Sequence, residues 1–139
     1  MSRLRILVAT DLTYPQAALD VALRLAGPAG EVVLASVVVV PHAQPLDASL
    51  DRAVADACAL LDAGESAGRG AAVFDTRLVR ARSFAEGVLG VLEGERFDML
   101  VLKISRGLRN GMRAQVETLL ERADPPVVLV RAAAAAPTA

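Results

Sequence analysis

Apolar residues along this chain gather into five short runs rich in β-branched side chains, separated by stretches whose apolar positions recur every three or four residues. Residues 4–9, Leu4-Arg5-Ile6-Leu7-Val8-Ala9, are nearly continuously apolar, as a strand covered on both faces must be. Residues 31–40 form the second such run and residues 71–79 the third, whose mixed composition predicts a place nearer a sheet edge. Residues 99–102 and 127–130 supply the fourth and fifth. Between the first two runs, Thr13-Tyr14-Pro15-Gln16 reads as a capping box with an early proline. Ala18, Val21, Ala22 and Leu25 then share a helical face, and Gly27-Pro28-Ala29-Gly30 stops it.

The prolines at 41 and 45 break the second strand, and a long helix follows with Leu50, Val54, Ala57, Cys58 and Leu61 on one stripe, ending in the glycine-bearing residues 64–70. Ser83-Phe84-Ala85-Glu86 is a second capping box, opening a helix that buries Phe84, Val88, Leu89 and Leu92. Residues 104–111 read as a loop, Met112, Val116, Leu119, Leu120 and Ala123 mark the last helix, and Pro125-Pro126 ends it. This strict alternation of strands and helices predicts an α/β, Rossmann-like parallel sheet with helices on both faces, joined by right-handed crossovers. One domain spans residues 1–131, and the Ala-rich residues 132–139, which lack periodicity, predict a disordered tail. Ligands of such sheets bind beyond the carboxyl ends of the strands, which directs attention to residues 10–11, 38–42, 80–83 and 103–111.

Composition narrows the field. The 139 residues carry 15 Lys and Arg against 16 Asp and Glu, a balance that gives no general attraction to nucleic acid or to an anionic membrane. One cysteine cannot close an internal disulfide, which suits a reducing, cytoplasmic setting. The N-terminus shows no cleavage pattern of a secretory signal, and the most apolar run, residues 32–40, is far shorter than the ~20 residues a bilayer span requires. Lys103 is the sole lysine; every other basic residue is arginine.

Motifs exclude more than they admit. Neither G-x-x-x-x-G-K-[ST] nor a G-x-G-x-x-G after the first strand is present, so P-loop and dinucleotide readings lack their glycines. A phosphorelay receiver needs an Asp at the end of the third strand, where Val79-Arg80 stands. His42 reads as an ordinary loop residue, no G-x-S-x-G elbow exists, and Cys58 on an apolar stripe reads as buried and inert. Metal ligands do not cluster. The residues therefore point to no catalytic site and no metal site.

Arg5-Ile6-Leu7-Val8-Ala9-Thr10-Asp11 followed by an Ala- and Leu-bearing helix resembles the opening of the universal stress protein family. The second run from Val32 to Val38, Asp98-Met99-Leu100-Val101-Leu102, and the closing Ala123-Asp124-Pro125-Pro126-Val127-Val128-Leu129-Val130 resemble its later segments in order, so that the likeness spans residues 3–131. The resemblance implies an open five-stranded parallel sheet in order 3-2-1-4-5, a cytoplasmic homodimer built on the last strand, here Val127, Val128, Leu129 and Val130, and a regulatory, non-enzymatic role in stress adaptation. Members that bind ATP carry G-x2-G-x9-G-[ST] after the fourth strand. Here the first two glycines fall on Lys103 and Arg106, or with one insertion on Ile104 and Gly107, and the later G-[ST] is missing near Arg113-Ala114. The chain thus resembles the branch without the motif, and no cofactor is expected.

Strands one and four are neighbours in that order, so Asp11 and Lys103 come close; an ion pair between them would fill the space of a nucleotide's ribose and phosphates. The plainer alternative has Lys103 reaching into solvent. A competing reading keeps weak ATP or AMP binding through Ala9, Asp11, Val37, Lys103, Ser105, Arg106 and Gly107, with Arg109, Asn110 and Arg113 extending a basic loop into a helix N-terminus. A third treats the chain as a cytosolic regulatory domain related to those of transporters or kinases. The protein partner and the particular stress are not named by the residues.

Overall fold

The computed structural model describes residues 3–105 and 110–132. Its elements run β1 (Arg5–Thr10), α1 (Gln16–Ala26), β2 (Glu31–Val39), α2 (Asp51–Gly68), β3 (Val73–Ala81), α3 (Phe84–Gly94), β4 (Met99–Ile104), α4 (Asn110–Arg122) and β5 (Val127–Arg131). The strands form one parallel sheet in the order β3-β2-β1-β4-β5, which puts β1 and β2, the most apolar runs, towards its middle. Register is set residue by residue: Ile6 lies opposite Val32 and Met99, and Ala9 opposite Ala35 and Leu102.

Because side chains alternate across a strand, the sheet divides its apolar residues between two cores. Ile6, Val8, Val32, Leu34 and Val101 pack with Ala18, Leu19 and Ala22 of α1 and Leu60 and Leu61 of α2. Leu7, Ala9, Val33, Ala35, Val37, Leu100 and Leu102 pack on the other face with Phe84, Val88 and Leu89 of α3 and Leu119 of α4. The α1 and α2 crossovers carry the chain one way from β1 and the α3 and α4 crossovers the other. Right-handed connections then place the two pairs on opposite faces.

Several local expectations change. Helix α1 begins after Pro15, itself at the cap position, with no side-chain cap; Thr13 is held instead in the preceding turn, its N–H donating to the Asp11 carboxylate (2.8 Å) and its carbonyl accepting from the Thr10 hydroxyl (2.6 Å). Its buried face is Ala18, Leu19 and Ala22, leaving Leu25 45% exposed. Cys58 is exposed, not part of the core. The buried line of α2 is Ala57, Leu60, Leu61, Gly64 and Gly68, and at about 100° per residue Cys58 lies to one side of it. Helix α2 ends at Gly68, within the glycine-bearing residues 64–70 as expected, and Gly64 and Gly68 also let it lie close on the sheet, since a Cβ there would run into Leu34 and the Phe74 ring. The fourth strand extends through Ile104, and α4 starts at Asn110, earlier than its apolar stripe suggests. Ser83 caps α3 as its pattern predicts, accepting from the Glu86 N–H. The expected tail lies, from residue 133 on, outside the described residues.

The amino-terminal edge of the sheet on the α3 face is closed by charge instead of apolar packing. Glu95, just past α3, accepts from Arg5 of β1 (2.8 Å) and from Arg77 of β3 through both oxygens (2.7 and 3.0 Å). Arg5 also pairs with Glu31 (3.0 Å), Arg77 with Asp75 (2.6 Å), and the Arg5 guanidinium stands 4.5 Å over the Phe97 ring. The Arg77 and Arg5 guanidiniums hold the Glu95 carboxyl below the ordinary carboxylate range, and Arg77 with the Thr76 N–H does the same for Asp75. Glu95→Ala leaves two guanidiniums without their shared acceptor and is expected to lower stability at pH 7 by about 1–2 kcal/mol, the modest range proper to a partly exposed cluster. Groups whose folded-state pKa is depressed stabilise above their unfolded pKa, about 4.3 for Glu, and that contribution is lost as pH falls through the folded value. Urea midpoints of wild type and variant should therefore differ at pH 7 and converge towards pH 3. A gap that persists at pH 3 would assign the loss to packing.

Candidate functional site

The carboxyl ends of β1 and β4 diverge into a cleft of about 700 Å³, within the range of small-ligand sites. Two features of the fold make this the place. Strand order reverses between β1 and β4, and the crossover helices that leave the two sides splay apart there. The cleft's inner wall is apolar: Ala9 and Leu102 from adjacent strands, Phe84 from the first turn of α3, and Met112 and Val116 from α4. Its rim is polar, with Thr10, Asp11 and Thr13 on one side and Lys103 and Ser105 on the other.

The β1–α1 side of the rim is rigidly held. Thr10 is 4% exposed and donates to the Thr13 carbonyl, while Ser36, fully buried on β2, donates to the Asp11 carbonyl (2.7 Å). The Asp11 carboxylate turns back to accept the Thr13 N–H. That local bond explains why the expected Asp11–Lys103 pair does not form: among the described residues Lys103 makes no ion pair. Its half-buried side chain lines the cleft.

Of the candidate residues, Ala9, Asp11, Lys103 and Ser105 come together at the cleft. Val37 does not. It lies buried beneath α3, where a Cβ added at Gly87 would approach its Cγ1 to 2.7 Å. Arg106, Gly107 and Arg109 lie outside the described residues, and Arg113 is exposed on α4 away from the lining. Sequence reasoning missed Phe84, Leu102, Met112 and Val116, because their helical and strand periodicity marks them as core and they are core as well as wall. One signal was available for Phe84: it directly follows the capping Ser83, so it had to stand at the carboxyl end of the sheet. His42 is exposed in the β2–α2 loop, whose carbonyls at Pro41 and Gln44 accept from Arg82 (2.6 Å each). Among the described residues no set of His, Cys, Asp or Glu is grouped to hold a metal ion, and no helix is long and apolar enough to cross a membrane.

An open parallel sheet in order 3-2-1-4-5 with its cleft at the β1–β4 boundary defines a doubly wound α/β protein. The chain has the fold of the universal stress proteins. A universal stress protein family structure from Burkholderia pseudomallei superposes with a TM-score of 0.71 at 24% identity, covering 94% of this chain and 97% of that one. A family protein from Arabidopsis thaliana, solved with AMP bound, gives a TM-score of 0.70 at 19% identity over 94% and 93%. A universal stress protein in complex with cAMP gives 0.66 at 14% identity over 96% and 100%. No family model and no curated protein matches the chain.

Proposed function

We propose that this chain is a cytoplasmic regulatory module for stress adaptation, of the universal stress protein kind and without catalytic turnover, whose cleft takes a nucleoside monophosphate in preference to ATP. One observation carries this reading: a flat-ligand-sized apolar wall beside one cation. Among the described residues lining the cleft, Lys103 is the one positive charge, and it faces a wall formed by Ala9, Phe84, Leu102, Met112 and Val116. A base stacked on that wall would leave a single phosphate for the ammonium, a charge-assisted contact that needs no glycine cradle. A triphosphate asks for more. Its chain is held by successive backbone N–H groups, which need glycine's close approach, and the resemblance puts Lys103 where the ATP-binding signature has its first glycine. The AMP and cAMP complexes among the structural neighbours support the same ligand class.

The test is titration calorimetry with thermal shift on the purified protein against AMP, cAMP, ATP and adenosine. AMP or cAMP should bind about tenfold or more tightly than ATP, and adenosine more weakly than AMP. ATP binding as tight as AMP, or silence with all four, overturns the proposal.

The module is further proposed to work as a homodimer through β5. Val127 to Val130 form the sheet edge, half-buried on average, and Leu129 is 38% exposed. Uncovered apolar edge strands invite pairing, and a two-fold axis would pair β5 with its own copy. Sedimentation should give a dimer at tens of micromolar, and Leu129→Arg a monomer that still unfolds cooperatively, at a midpoint lowered by the lost association. A wild-type monomer under those conditions counts against the assembly.

A further inference from the structure

We infer that Gln115 is the positioning residue of the cleft: by capping α3 from α4 it fixes the wall on which a ligand packs, an inference that rests on reading the cleft as a ligand site. The first N–H groups of any helix have no intrahelical acceptor. In α3 the Ser83 hydroxyl satisfies Glu86, whereas the Ala85 N–H is satisfied from a different helix, by the Gln115 side-chain oxygen at 2.8 Å. Among the described residues this is the one side-chain hydrogen bond between α3 and α4. Phe84, Ala85, Val88 and Leu89 of α3 share one apolar core with Leu119 of α4, and Met112 of α4 packs against that core.

Apolar contact is non-directional, so two helices joined by it alone can slide on one another. A hydrogen bond to a fixed N–H defines the offset between them. The cleft depends on that offset because its wall straddles the bond. Phe84 immediately precedes Ala85; Met112 and Val116 lie on α4 on either side of Gln115, all three lining the cleft. Gln115 itself is half-buried and is not part of the lining, so it acts through its neighbours. A loosened wall would have to be ordered at the moment of binding, and the apparent affinity falls by the fraction of molecules with the wall in place.

The experiment compares wild type with Gln115→Met, which keeps length and apolar volume but loses the acceptor, and Gln115→Glu, which keeps an acceptor. Amide exchange at Ala85 and the methyl resonance of Met112 are followed without ligand, and AMP is the binding probe. In Gln115→Met, Ala85 should exchange about tenfold faster, the worth of one such bond, while Glu86, held by Ser83, keeps its protection. The Met112 methyl should shift or broaden and that of Met99, in the opposite core, should not. Gln115→Glu should restore both signals. AMP should bind Gln115→Met up to about tenfold more weakly. Unchanged Ala85 exchange and an unmoved Met112 methyl overturn the role of Gln115, as does unaltered AMP affinity in the variant. Failure of wild type to bind AMP overturns instead the functional reading, and the two ligand-free signals still decide what Gln115 does. If Gln115→Met does not fold, Gln115→Asn, one methylene short of Ala85, takes its place in every comparison.

Discussion

Lys103→Glu should raise the dissociation constant for AMP by about 100-fold and leave that for adenosine within about twofold. A charge-assisted bond to phosphate contributes about 1.5–3 kcal/mol, and reversing the sign adds a repulsion of about 1 kcal/mol or more, at 1.4 kcal/mol for each factor of ten. Stability should move by no more than about 0.5 kcal/mol, because Lys103 is half-buried at a strand end and makes no ion pair among the described residues. Lys103→Arg keeps the charge and should stay within about tenfold of wild type. Calorimetry with AMP and adenosine on each variant checks this. Equal weakening of both ligands would show that Lys103 acts through the wall or the fold; unchanged AMP binding would show that it does not meet the phosphate.

Gly87→Ala should destabilise the protein by about 1–3 kcal/mol, even though alanine is the better helix former by roughly 1 kcal/mol. The sign is set by space. A Cβ at Gly87 would stand 2.7 Å from Val37 Cγ1, 3.1 Å from its Cγ2 and 3.3 Å from the Ala81 Cβ, and Val37 is 1% exposed with a β-branched side chain stiff at χ1. Gly90, three residues on and facing open space, is the control: Gly90→Ala should stabilise by about 0.5–1 kcal/mol. Val37→Ala removes the obstructing methyls, so the double variant Val37→Ala/Gly87→Ala should lose less than the sum of the singles, with a coupling of at least about 0.5 kcal/mol. Urea denaturation of the four proteins measures it, and strict additivity would show that α3 does not rest on Val37 in the way its packing requires.

The same residue illustrates where sequence reasoning stops. Val37 stands near the carboxyl end of a strand, which makes it a candidate for any ligand in this class of sheet, yet the side-chain alternation of β2 and the absent side chain at Gly87 put α3 directly over it. Cys58 is a similar case. Helical spacing placed it beside Ala57 and Leu61, but only the way α2 lies on the sheet, through Gly64 and Gly68, decides which neighbouring arc of the helix is buried. Lys103 could be placed by its strand, and its partner could not, because Asp11 had a nearer donor in the Thr13 N–H.

A chain of 139 residues with one lysine and balanced charge thus determined, through its alternation of β-branched runs and capped amphipathic stretches, the strands, the helices and the end of the sheet where a ligand would sit. Those features are local: period, caps and breakers act within a few residues of one another. The open cleft, the wall shared by Phe84, Met112 and Val116, the Gln115 cap and the charged closure around Glu95 were decided only in three dimensions. Each joins residues tens of positions apart, and which of several competing partners a polar or apolar group takes depends on distances that the order of residues does not contain.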